Sequence, residues 1–261
     1  MKKIKYGRLL PALLFLWPVL SWAQVGEDYN IAIEGRYWMP KLDSTVRVVE
    51  SNLGSDINLV NDLGFDERKN FGEGHLQIKF ARKHKFNLSF IPLKWEGDKN
   101  ITRTVEFGGQ IFTVGTNVQS KANLDLYKAG YEYDFLLGKA GFLGGTIDVL
   151  AAKVDVELKA PAIGGAPAID EKEDKTVPIP MIGLIGRIYP MKWVNLTGKI
   201  SGIPLGSYGY VIDAEASLNI NPVKYVGISG GYRYLQTNLK YDNNFLDFKL
   251  NGPFVALDIR F

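Results

Sequence analysis

The residues able to move a proton at neutral pH are few: the chain holds two histidines, His75 and His84. Glu73 stands two residues before His75, and positions i and i+2 share one face of a strand. A carboxylate so placed could orient the imidazole as a general base. The competing reading makes His75 one member of a structural polar network. His84 lies in the basic turn Arg82-Lys83-His84 and reads as solvated. No G-x-S-x-G nucleophile elbow is found: the string Gly227-Ile228-Ser229-Gly230-Gly231 lies inside a candidate strand rather than at a strand-to-helix turn. The absence of cysteine excludes disulfides and thiolate metal sites. The acidic run Asp170 to Asp174 could gather a divalent cation, but its spacing does not follow an EF-hand loop. It reads as an exposed charged loop, and no cofactor is expected.

These residues must be positioned by strands, because hydrophobicity alternates at period two through most of the chain. The clearest case is the last stretch, Gly252 to Phe261, where Val255, Leu257, Ile259 and Phe261 alternate with Phe254, Ala256, Asp258 and Arg260. Nine more candidate strands precede it: Asn30–Met39, Phe71–Ala81, Lys85–Trp95, Ala122–Phe135, Phe142–Leu158, Val177–Tyr189, Trp193–Gly202, Tyr208–Ile220 and Lys224–Lys240. Tight turns near residues 83, 139, 191 and 222 alternate with mostly longer connections, and the long polar segment Pro40 to Asn70 reads as a loop. Thr102–Phe107 and Ile111–Val118 flank Gly108-Gly109 and read as a hairpin beyond the main strands.

One wholly apolar face, one polar face and alternating short and long connections are the pattern of a transmembrane β-barrel. The fold class expected is therefore an all-β, antiparallel transmembrane barrel of about ten strands. Eight strands, with the fifth and sixth reassigned, is the structural alternative, and a soluble sandwich is the other reading. Pro92, Pro178, Pro180 and Pro253 fall toward the loop ends of their strands, where a missing ladder donor costs least. Tyr37, Trp38, Trp95, Tyr127, Trp193, Tyr208 and Tyr232 read as interfacial girdles.

The chain resembles bacterial outer-membrane β-barrel proteins of the small-barrel type, on the C-terminal strand ending in Phe261 and on the segment Ile57 to Phe65. The resemblance implies that Val255, Leu257, Ile259 and Phe261 form the signal read by the barrel-assembly machinery. It also implies a place in the bacterial outer membrane among its lipids. Export agrees with the amino end. Lys2, Lys3, Lys5 and Arg8 precede the apolar run Leu9 to Leu20, and Ser21-Trp22-Ala23 is a small-x-small site. Residues 1–23 are thus expected to be a cleaved signal peptide, with a retained amphipathic anchor as the other reading, and 24–261 the barrel domain. Removing the four basic residues takes the formal charge from +3 to −1, and nothing suggests a nucleic-acid partner. A monomer is the default.

Register then defines the charges that face the lumen: Glu34, Arg36, Glu73, His75, Lys79, Lys128, Glu132, Asp148, Arg187, Lys199, Asp213, Glu215, Arg233, Asp258 and Arg260. The signs balance, so no single-sign ring selects ions. A charge-paired, structural interior is one expectation, and a narrow path for small solutes is the other. The leading function is a non-enzymatic membrane protein, structural or interaction-mediating, or a narrow channel, with the loops open to a surface ligand. The competing class is an outer-membrane protease or lipid-modifying enzyme. The ten-stranded omptin proteases set acidic residues and a His–Asp pair around a water at the barrel mouth. No omptin motif segment matches this chain, where His75 with Glu73 is the one strand-borne candidate.

Overall fold

Alternating residues joined by tight turns favour antiparallel ladders. The computed structural model describes residues 25, 27–47, 49, 54–107, 110–161 and 169–261. The expected signal peptide, 1–23, lies outside the described residues, as do the side chains of Phe107, Gln110, 169–173 and Tyr241. The described strands are β1 (Ile31–Trp38), β2 (Lys41–Arg47), β3 (Ile57–Asn58), β4 (Phe71–Ala81), β5 (His84–Asn100), β6 (Val105–Phe107) and β7 (Gln110–Phe112). They continue with β8 (Asn117–Gly138), β9 (Gly141–Ala160), β10 (Ile169–Met191), β11 (Val194–Pro204), β12 (Gly209–Val223), β13 (Val226–Tyr241) and β14 (Asn244–Arg260). The acidic run from Asp170 falls in β10, where the sequence suggested a loop.

Ten of these strands pair in the order β1-β4-β5-β8-β9-β10-β11-β12-β13-β14. The seam between β1 and β14 runs from Ala32 opposite Arg260 to Trp38 opposite Phe254 and closes the barrel. Eight strands would require giving up β9 and β10, yet these pair from Ile188 opposite Gly141 to Ile169 opposite Ala160. At one end, two-residue turns join β4 to β5, β8 to β9, β10 to β11 and β12 to β13. Gly141 opens one of these ladders at φ 150°, and a Cβ there would meet the Arg187 carbonyl at 1.8 Å. Both the first and last barrel strands also end here, where the Asn30 amide donates to the Phe261 carbonyl.

The strands run further than their apolar outer faces suggested, because their amphipathicity inverts part-way up. On β9, Leu143, Ile147 and Val149 point outward and are exposed, while Thr146 and Asp148 are buried inside. Beyond Leu150 the pattern reverses: Leu158 and Ala160 are buried within, and Lys153 and Lys159 are exposed outside. The same reversal separates Phe86, Leu88 and Phe90 from Ile91, Leu93 and Trp95 on β5. A search for apolar residues on the outside therefore stops at the level of reversal. The segment read as a loop from Pro40 illustrates this: Lys41–Arg47 is β2, paired with β14 from Asn251 to Phe245, and its buried residues are Leu42 and Ser44.

The barrel thus has two storeys. The lower has an apolar exterior and a charged interior. The upper is a dome with a polar exterior and an apolar core, built from Trp38, Phe71, Ile91, Leu126, Leu150, Met181, Val211, Leu235 and Phe254 at its base. Ile57, Leu63 and Phe65 from the connection after β2, with Ile101, Val105 and Phe112 from the β6–β7 hairpin segment, fill it from above. Two tryptophans assigned to the girdles belong to this core instead: Trp38 is 0% and Trp95 3% exposed. Their inward parity outranks their nearness to a strand end. Tyr37, Tyr127, Tyr232 and Trp193 do stand exposed on the outer face.

The prolines mark where the wall loses a neighbour. Pro92 lies just past Phe90, the last β5 residue paired with β4, and Pro178 and Pro180 lie past Ile182, the last β10 residue paired with β11. Pro253 sits at the break between β1 and β2, where the Met39 amide reaches its carbonyl. A residue without an N–H costs no ladder bond at such an edge, and it denies the edge to a foreign strand.

Candidate functional site

The charged storey is set by parity: on each strand the residues opposite the apolar set must turn inward. Together they surround a cavity of about 160 Å³. Thirteen of the fifteen residues expected in the lumen line it; Glu73 stands just behind, paired with the lining Arg233, and Lys79 lies over the ring of the lining Tyr29.

The centre is one connected ion-pair network from seven strands, β1, β4, β8, β9, β11, β12 and β13. Arg233 on β13 donates through Nε and Nη2 to Asp213 on β12 at 2.9 and 3.0 Å, and through Nη1 to Glu73 on β4 at 2.7 Å. Glu73 also meets Nε2 of His75 at 2.6 Å and Arg36 at 3.9 Å. Arg36 on β1 ties Glu34 at 2.9 Å and Glu215 at 2.8 Å. From Asp213 the chain of charges continues through Lys128 at 3.1 Å to Asp148 at 3.5 Å and on to Lys199 at 3.9 Å. Gly130 makes room for this branch, since a Cβ there would lie 1.9 Å from Asp148 Oδ1. Burying so many charges is tolerable because opposite signs stand in contact.

Nearer the turn end a second group forms. Lys85 pairs with Glu132 at 2.6 Å and Asp134 at 2.9 Å, and its ammonium lies 3.9 Å from the centre of the Phe142 ring. Arg260 pairs with its strand neighbour Asp258. Arg187 Nε donates to Thr197 Oγ1 at 2.8 Å and its Nη1 to Glu27 at 2.6 Å. Lys85 and Asp134 were missed by the sequence reading, although parity with Asn87 and Glu132 marks both as inward. Glu27 and Tyr29 had no such signal, because they precede the first strand.

That preceding segment crosses the turn end of the barrel. Val25 donates its amide to the Lys192 carbonyl, and Asn221 Nδ2 donates to the Val25 carbonyl at 3.1 Å. Glu27 meets Arg187, Tyr189 and Lys79, Tyr29 donates to Gln77, and Asn30 enters the seam. The Lys192 turn follows β10, which stands five strands from β1 in either direction. The segment is therefore a strap across the full diameter. Burial works to raise the Glu27 carboxyl, but Arg187, the Tyr189 hydroxyl and the Lys85 and Lys79 ammoniums outweigh it and hold it at about 2. A carboxylate held low stabilises its bound state above the usual value of 4.5, and that stabilisation is lost as pH falls toward 2. The strap is expected to stay seated at neutral and mildly acidic pH and to come free between those two values. A spin label on Val25→Cys should turn mobile only in that window.

Comparison with known structures supports the architecture. The outer membrane protease OmpT from Escherichia coli superposes with a TM-score of 0.60 at 10% identity, over 94% of this chain and 99% of that one. The fold is that of the bacterial outer-membrane β-barrels. The translocator domain of the autotransporter NalP from Neisseria meningitidis gives a TM-score of 0.54 at 7% identity, over 89% of each chain. No family model matches the sequence, and no curated protein matches it.

Proposed function

We propose that this chain is an integral, non-enzymatic outer-membrane barrel, closed to through-flow, that acts as a structural and interaction-mediating protein through its extracellular dome. The observation that carries this reading is the apolar core spanning the upper storey from Trp38 to Met181 and Leu235. An ion leaving the charged chamber upward would have to shed its water among side chains that offer nothing in return. The two-residue turns belong on the periplasmic side and the dome outside, following the loop asymmetry of such barrels. Within the dome, the β6–β7 hairpin carries Ile111, and Val114 stands just beyond it; both are exposed and available to a surface ligand.

His75 supports the non-enzymatic reading: it leans on Glu73, which Arg233 and Arg36 also hold, inside the lower storey. Replacing it by Ala should leave any surface-binding activity intact, whereas an enzyme using it as a base would lose about 10²–10⁴-fold in rate.

Single-channel recording of the refolded protein in a planar bilayer tests the closed reading. Silence is expected from the native chain and from Arg187→Glu alike. Discrete openings whose ion selectivity moves with that swap would instead establish the narrow-channel function. For assembly, we propose that the exposed set Val255, Leu257, Ile259 and Phe261 is read by the barrel-assembly machinery. Deleting Phe261 is expected to reduce the heat-modifiable, membrane-inserted fraction in cells; unchanged insertion would remove that role from the terminal residue.

A further inference from the structure

Glu27 is not part of the barrel wall, yet the wall is shaped around its carboxylate. Arg187 and Tyr189 from β10 and Lys79 from β4 converge on it from opposite sides of the lumen. Arg187 owes its position to the wall as well, through Thr197 and the face of Phe142 at 5.4 Å, and so stays in place without the strap. Glu27 is also the carboxylate with which both Arg187 and Lys79 pair among the described residues. Among its described residues the strap has neither helix nor strand and joins a ladder only at Asn30. Behind it, Arg260 Nη1 and Asp148 Oδ1 are buried on the chamber wall without a hydrogen-bond partner among the described residues. Above, the apolar core makes the chamber blind.

We propose that the charged chamber is a periplasm-facing binding site for a small carboxylate, and that the chain's own strap occupies it at rest, with Glu27 in the ligand's position. This rests on the orientation given under the proposed function. Release of the strap exposes the Arg187, Tyr189 and Lys79 cradle, and the Arg260 Nη1 donor on the wall behind it is free to meet a carboxylate. A cradle of two cations and a phenol selects a carboxylate over a neutral amide, because only the charged group repays their desolvation.

The absence of native cysteine allows a direct test in the full chain. Ser217 lines the cavity, and a thiol placed there by Ser217→Cys reports access from the turn end. In refolded protein of normal heat-modifiable mobility, a small neutral maleimide should label this thiol slowly. Adding Glu27→Ala should raise the rate by about tenfold or more, as local opening becomes the rest state. Succinate should then slow labelling of the opened protein, succinamide should not, and Arg187→Gln should abolish the protection. Should Glu27→Ala fold poorly, Glu27→Gln carries the same comparison with the side-chain shape kept.

Equal labelling with and without Glu27 would overturn the strap as a seal. Equal protection by succinate and succinamide, or by neither, would overturn the carboxylate site. Neither result depends on conductance, so a conducting barrel would refute the closed reading while leaving these outcomes to be read separately.

Discussion

Asp213→Ala is expected to destabilise the barrel by about 3–5 kcal/mol, the usual consequence of leaving a buried charge without its partner. Asp213 accepts two hydrogen bonds from Arg233 and one from Lys128, and all three side chains are largely screened from water. Removing the carboxylate leaves Arg233 with Glu73 and Lys128 with a 3.5 Å approach to Asp148. The midpoint of urea unfolding in lipid vesicles should fall accordingly. Asp213→Asn should recover little, since it keeps the acceptor but not the charge. Pairing Asp213→Ala with Lys128→Met should recover part, because one of the stranded cations is gone. A single variant unfolding at the native midpoint would mean that the network does not hold the wall.

Trp38→Ala should cost about as much by another route, roughly 3–5 kcal/mol for an aromatic truncated in a packed core. The ring is fully buried at the boundary between the storeys; its Nε1 donates to the Gly252 carbonyl at 3.2 Å, and Arg233 lies 5.1 Å from its centre. Because Trp38 forms part of the apolar ceiling over the chamber, its loss is also expected to admit ions intermittently, where silence is the expected result for the native barrel. Trp38→Phe should keep most of the stability. Native stability and native silence in Trp38→Ala together would show that the ceiling does not depend on this ring.

Parity made much of this legible beforehand. Once Val255, Leu257 and Ile259 are assigned outward, Asp258 and Arg260 must point inward, and similar reasoning on each strand yields the lumen charges without reference to contacts. Parity could not show which charges meet, because Glu73 and Arg233 lie 160 residues apart and are joined only when the sheet curls into a barrel. The dome escaped for a different reason. Its inner face, Leu42, Ile91, Leu93, Leu150 and Leu158, alternates as cleanly as the lower storey but with the opposite sign. A reading that equates apolar with outward therefore takes β2 for a loop and the two tryptophans for girdles. The strap was invisible because six residues without periodicity say nothing about what they cross.

The ion pairs also constrain the order of events in folding. Arg36 meets Glu215, Glu73 meets Arg233 and Lys128 meets Asp213, each pair drawn from strands well apart around the wall. A hairpin can pair Arg233 with Asp213 or Lys128 with Asp148, but Arg36 with Glu215 and Glu73 with Arg233 meet only across the β1–β14 seam, so an incompletely curled sheet in a bilayer would leave part of its charge unpaired against hydrocarbon. Full neutralisation waits for the seam, which joins residues at opposite ends of the chain. Insertion and closure must therefore behave as a single cooperative kinetic step, and long-range pairing of this kind makes that step slow.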